Sequence, residues 1–143
     1  MFVRKGTAWS EQANFKASKL RRTNWFGVRL SLSGDGNTMA VSAPNEDSAA
    51  QGINGKQDDD SADEAGAVYV FTRDGSTWSP NQIYFKGSNT EKFDEFGSAV
   101  ALSRDGRTMA VGAHFESGGA KGINGNQADN SMSQSGAVYL FIR

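Results

Sequence analysis

The chain is one unit written twice. "FGVRLSLSGDGNTMAVSAPNE" at 26–46 returns as "FGSAVALSRDGRTMAVGAHFE" at 96–116, "GINGKQDDDS" at 52–61 as "GINGNQADNS" at 122–131, and "GAVYVFTR" at 66–73 as "GAVYLFIR" at 136–143, always 70 positions on. Trp9 and Trp78 match at 69, so the second copy gained one residue, placed here around Pro80. Self-similarity at a fixed period of this size means stacked repeats. The 143 residues divide into repeat 1 at 5–73 and repeat 2 at 74–143, with 1–4 a remnant of a preceding strand. Together they make a single two-blade unit.

Each unit reads as four strands. "FGSAVALS" alternates, with Ser98, Val100 and Leu102 on one face and Ala99, Ala101 and Ser103 on the other. "TMAVGA" follows across a DG pair, a hairpin signal because glycine accepts positive φ in the turn. "GAVYLFIR" is β-branched and aromatic, hence a third strand. "WSPNQIYFKGS" is a weaker, more polar fourth strand, suited to an outer edge. No segment carries a 3.6-residue apolar period with caps. The 17 glycines, without a collagen period, mean many tight turns. The expected fold is therefore all-β: two four-stranded antiparallel blades of a β-propeller. The innermost strands are expected to carry small residues where space narrows, and Ala40, Ser42, Ala43, Ala110, Gly112 and Ala113 fit that place.

Composition removes several classes. There is no Cys, which excludes disulfides and thiolate-bound metals. Net charge is −1 and basic residues cluster only in "KLRR" at 19–22, so nothing favours nucleic acid. No apolar run approaches the ~18 residues of a spanning helix, so no membrane insertion is expected. Residues 1–15 are polar and interrupted, which is not the pattern of a signal peptide. A lone histidine, His114, with no cysteine or serine partner in a motif, gives no basis for triad chemistry, and no enzyme is expected.

The motif set "FGSAVALS…DGRTMAVGA…GAVYLF" resembles the FG-GAP repeat of integrin alpha-chain propellers and of many bacterial surface proteins. Phe26-Gly27 and Phe96-Gly97 supply the FG, and "GINGNQADNS…GAVY" is similar to the bacterial branch. "VSAP" and "VGAH" stand where the family has GAP, so Ser42 and His114 depart from it. The resemblance implies a blade fold, a recognition or adhesion role rather than catalysis, and an extracellular or cell-surface parent protein. It implies little about the ligand.

Family members usually close seven blades in one chain, and rings need about four to eight. Two blades would expose an apolar sheet face at each end. Residues 8–17, "AWSEQANFKA", read as an outer strand without inner partners, and the last blade lacks its outer strand. Strand exchange between copies would repair both. Such a head-to-tail contact makes a ring when its rotation closes. A homo-trimer gives six blades, the preferred expectation, and a homo-tetramer eight. The alternative is a fragment excised or designed from a longer propeller, with no function of its own. Met1, standing where the repeat has Val70, suits that alternative.

Candidate sites follow from the long connections Asn45–Ala65 and Phe115–Ser135, which recur once per blade on one side. Asp58, Asp59, Asp60 and Asp129 are candidate Ca²⁺ ligands, because Ca²⁺ takes six to eight oxygens. Asp59, Asp129 and Asn130 are candidate contacts to a protein or glycan ligand. A third use is open: Asp and Asn side chains bonding their own backbone and stiffening the loop. The family's calcium loop is a D-x-D-x-D-like run between first and second strands. Here that place holds only Asp35-Gly36 and Asp105-Gly106, which read as turns. Arg29, where repeat 2 has Ala99, is expected to pair with an acid between blades. Trp9 and Trp78 are expected to cover Phe71 or Phe141 at the outer edge. Trp25, opposite Glu95 in the other repeat, is the candidate exposed aromatic for a sugar. A lectin with one site per blade is the rival function.

Overall fold

A computed structural model describes residues 1–19 and 21–143. Among the described residues ten strands follow in chain order: β1 (Phe2–Lys5), β2 (Ala8–Glu11), β3 (Leu30–Leu32), β4 (Thr38–Ala43), β5 (Ala67–Asp74), β6 (Thr77–Trp78), β7 (Ile83–Phe85), β8 (Phe96–Leu102), β9 (Thr108–Ala113) and β10 (Ala137–Ile142). Among the described residues there is no helix. The first blade runs β3-β4-β5, with β7 and the two-residue β6 both paired to β5; the second runs β8-β9-β10; β1 and β2 form a separate hairpin. All pairings are antiparallel.

Alternation along the strands builds the core as two layers. In the first blade Met39, Val41, Ala43, Ala67, Tyr69 and Phe71 point to one side, where Phe15, Ala17, Phe26 and Trp78 join them. Ala40, Val68 and Val70 point to the other side and meet Phe96, Met109, Val111 and Ala113 of the second blade. The period of two thus divides one sheet between two interfaces. The second blade has only one such interface. Tyr139 and Phe141 face the core, while Val138, Leu140 and Ile142 are 73%, 62% and 77% exposed.

Three local expectations change. The small residues Ala40, Ser42 and Ala43 lie in β4, the second strand of its sheet, rather than the innermost. That strand is covered on both faces, so all three are fully buried. The outer strand expected over "WSPNQIYFKGS" breaks into β6 and β7. Pro80, without an N–H, cannot continue the ladder there. Likewise only 8–11 of the expected strand at 8–17 is extended and paired, and its partner is β1.

The FG glycine has a geometric reason. Gly97 has φ +99°, and a β-carbon there would lie 2.9 Å from Ala67 O and 3.0 Å from Ser42 Cβ across the interface. The ladder between β8 and β9 slips by two residues at this point, between Phe96 and Ala99. The backbone of the second blade therefore rests directly on the first, with Phe96 N donating to Ala65 O at 3.0 Å.

Candidate functional site

The two DG turns are built alike. Ser33 Oγ donates to Asp35 Oδ1 at 2.6 Å, Asn37 N donates to the same oxygen at 2.9 Å, and Thr38 N donates back to Ser33 Oγ at 3.0 Å. Ser103, Asp105, Arg107 and Thr108 repeat this at 2.5, 3.1 and 2.9 Å. The serine hydroxyl first, then the backbone N–H, hold both carboxyls below the usual aspartate range. Gly36 and Gly106 take the positive φ that closes each turn.

The long connections fold back on themselves and onto the preceding segment. Asp59 Oδ1 accepts from Ser61 N at 2.9 Å and Oδ2 from Ala49 N at 3.3 Å. Asp129 Oδ1 accepts from Ser131 N at 3.1 Å. Both carboxyls are held below the ordinary value, chiefly by the Ser61 and Ser131 hydroxyls. Asp60 pairs with Lys19 at 3.1 Å and with Arg21. Its counterpart Asn130 donates to Glu91 at 2.7 Å, the residue matching Arg21. The charges change between repeats, but the contact stays. Ser18 to Gln57 at 2.5 Å and Ser88 to Gln127 at 2.6 Å complete the same tie twice.

These contacts do not make a calcium site. Asp59 gives both oxygens and Asp129 its Oδ1 to backbone N–H groups, Asp60 is held by two cations, and Asp58 stands exposed. Among the described residues no three His, Asp or Glu side chains gather as a metal would require. The residues present do not fit Ca²⁺.

Arg29 also differs from expectation. It is exposed, and its Nε donates to Ser98 O at 3.2 Å, so it bridges the blades through a backbone carbonyl rather than an acid. An exposed guanidinium needs no buried counter-charge. Trp78 does cover the edge: its ring lies 4.9 Å from Phe15, which lies 4.9 Å from Phe71. Trp9 is 65% exposed and Trp25 is 60% exposed, the latter at φ +54°. His114 Nδ1 lies 3.8 Å from Glu95.

The most enclosed polar group was not singled out from the sequence. Glu46, Lys86, Tyr84 and Ser48 are each 1% exposed or less. Glu46 Oε2 accepts from Lys86 Nζ at 2.9 Å, Tyr84 OH at 2.8 Å and Ser48 N at 3.2 Å. Burial drives the Lys86 amine below its ordinary value, opposed by the Glu46 charge. Burial and the same carboxylate push the Tyr84 phenol up. The signal was present: "NFKAS" at 14–18 and "YFKGS" at 84–88 both carry the lysine, and Glu46 has its match in Glu116.

A model of the FG-GAP repeat matches residues 9–71 and 85–141, most of the chain. The chain belongs to the FG-GAP repeat family. No curated protein and no solved structure matches it. Within the FG-GAP frame the two phenylalanines do equivalent work. Phe26 lies 5.6 Å from Tyr69 and 6.2 Å from Phe71; Phe96 lies 5.4 Å from Tyr139 and 6.2 Å from Phe141.

Proposed function

We propose that this chain is a non-catalytic propeller module that assembles with copies of itself into a closed ring and presents its loop side for recognition or adhesion. The observation carrying this is the pair of open sheet faces. Val138, Leu140 and Ile142 lie bare on one side, and Val28, Leu30 and Leu32 are 41%, 64% and 43% exposed on the other. Their counterparts at the internal interface, Val68 and Val70 on one hand and Val100 and Leu102 on the other, are packed against each other's blades. Contiguous apolar surface of this kind marks an interaction site. The two faces differ, so the contact is head-to-tail, the kind that makes a ring when its rotation closes. Sedimentation velocity tests it: the expected particle has three or four times the 15.3 kDa of one chain. A folded single chain at all concentrations into the high micromolar range overturns it.

The exposed Trp25 favours a second reading, a carbohydrate-binding lectin, because a bare indole offers a stacking face. A glycan array decides it. Binding that is lost in Trp25→Ala supports the lectin, and silence across sugars removes it.

A further inference from the structure

β4 and β5 of the first blade are covered on both sides within the chain and β10 of the second is not, so the inner part of the first blade is a template for what the second lacks. Glu46 holds a buried lysine, whereas its match Glu116, 6% exposed, accepts from Asn89 Nδ2 at 2.9 Å and has no cation within 4.0 Å among the described residues. The lysine matching Lys86 is Lys16, which stands exposed. Gln12 Oε1 accepts from Trp78 Nε1 at 3.1 Å and Arg73 Nη1 at 3.0 Å, whereas the Oε1 of its match Gln82 is buried with no donor among the described residues. The tryptophan matching Trp78 is the exposed Trp9. Gly97 is pressed against Ala67 and Ser42, whereas Gly27, at φ +100°, has nothing among the described residues within 4 Å of where a β-carbon would stand.

We infer that a second copy of this chain seats its residues 9–17 along the outer edge of β10, delivering its Lys16 to Glu116 and its Trp9 to Gln82. This rests on the ring reading and names its contacts. The register is that of β7 on β5, where Val68 faces Phe85 and Tyr69 faces Tyr84. Shifted by one repeat, Val138 faces Phe15 and Tyr139 faces Asn14 of the second copy. That segment is already in place: Phe15 lies 4.9 Å from Phe71 just as Phe85 lies 5.0 Å from Phe141. Buried acid meets exposed amine, and a buried acceptor meets an exposed indole donor. An unpaired buried acid and an undonated buried oxygen are each costly, so both favour this seating.

One segment competes for the seat. "MFVR" at 1–4 matches "LFIR" at 140–143. β1 pairs with β2 by the register in which Arg73 and Asp74 pair with β6, and the Met1 amino group donates to Ala13 O. Residues 1–4 therefore lie where 140–143 of the neighbouring copy belong. β10 is fixed by six pairs to β9, and its Phe141 packs on Phe85 and Phe96. Among the described residues β1 has only β2 as a partner strand, with Phe2 61% exposed, so β1 yields. Until it does, it shields an edge that would otherwise recruit a strand.

Sedimentation velocity on four chains tests this: the parent, Lys16→Glu, Trp9→Ala, and a variant starting at Lys5. Positions 9 and 16 are exposed, so unchanged melting curves at dilution are expected. The shortened chain should assemble at about tenfold lower concentration. Lys16→Glu, which faces Glu116 with a like charge, should need at least about tenfold higher. Trp9→Ala should weaken assembly too, and Lys16→Glu with Glu116→Lys should restore it. Assembly indifferent to all these changes overturns the seating and leaves the ring standing. No assembly by the parent or the shortened chain overturns both.

Discussion

Gly97 and Gly27 share a sequence context and a backbone angle, yet they should not respond alike to substitution. Each holds φ near +100°, where an L side chain is strained. Gly27→Ala should cost roughly 1–3 kcal/mol for that reason alone. Gly97→Ala adds a β-carbon 2.9 Å from Ala67 O and should cost distinctly more. Urea unfolding of the two variants measures the difference, and equal losses would show that the close approach is not felt. Asp94 offers a second test. Burial, with the charges of Glu91 and Glu116 nearby, raises its carboxyl to about 6, against an ordinary 3.8. The folded state thus binds this proton more tightly than the unfolded chain. The group's contribution falls as pH rises from about 4 to about 6, and the penalty is complete above that. Repeat 1 already has Asn24 at this place. Asp94→Asn should melt above the parent at pH 7.5, with the gap closing toward pH 4, in thermal scans at both values. A gap independent of pH would contradict the assignment.

At the scale of strands, the alternation that builds the core also exposes its outer faces. β10 reads as core on Tyr139 and Phe141 and as open surface on Val138, Leu140 and Ile142. β3 is open at Leu30 and Leu32. Leu140→Lys and Leu30→Lys should each change the stability of a dilute single chain by less than about 1 kcal/mol, since both side chains stand in solvent. Each should abolish assembly, because an unpaired lysine would be buried in the seam. Denaturation and sedimentation on the same samples check the pair of outcomes. Assembly surviving both changes would mean these faces are not the contact. Strand identity was legible from alternation and turn chemistry. Strand length was not: Pro80 interrupts the outer strand, and among the described residues the segment at 12–17 has no partner strand, so neither continues as far as its side chains allow.

For the molecule as a whole, the acidic loops serve architecture. Asp59, Asp60 and Asp129 are engaged by backbone N–H groups or by Lys19 and Arg21. The melting temperature should therefore be the same in millimolar Ca²⁺ and in excess EDTA; a calcium-dependent rise of several degrees would reinstate a metal site. The repeat, the period-two strands, the DG turns and the family are all legible in the order of residues, because each depends on residues close along the chain or on self-similarity at a fixed offset. That order could not separate a liganding aspartate from one closing a loop, since both need the same oxygens. The folded chain makes that distinction by bringing Ser61 and Ala49 to Asp59 and Lys19 to Asp60. It alone also revealed Glu46 with Lys86, a pair 40 residues apart in sequence whose meeting depends on where two strands pack. Burial and partnership are properties of the folded assembly of segments, and no single stretch of chain carries them.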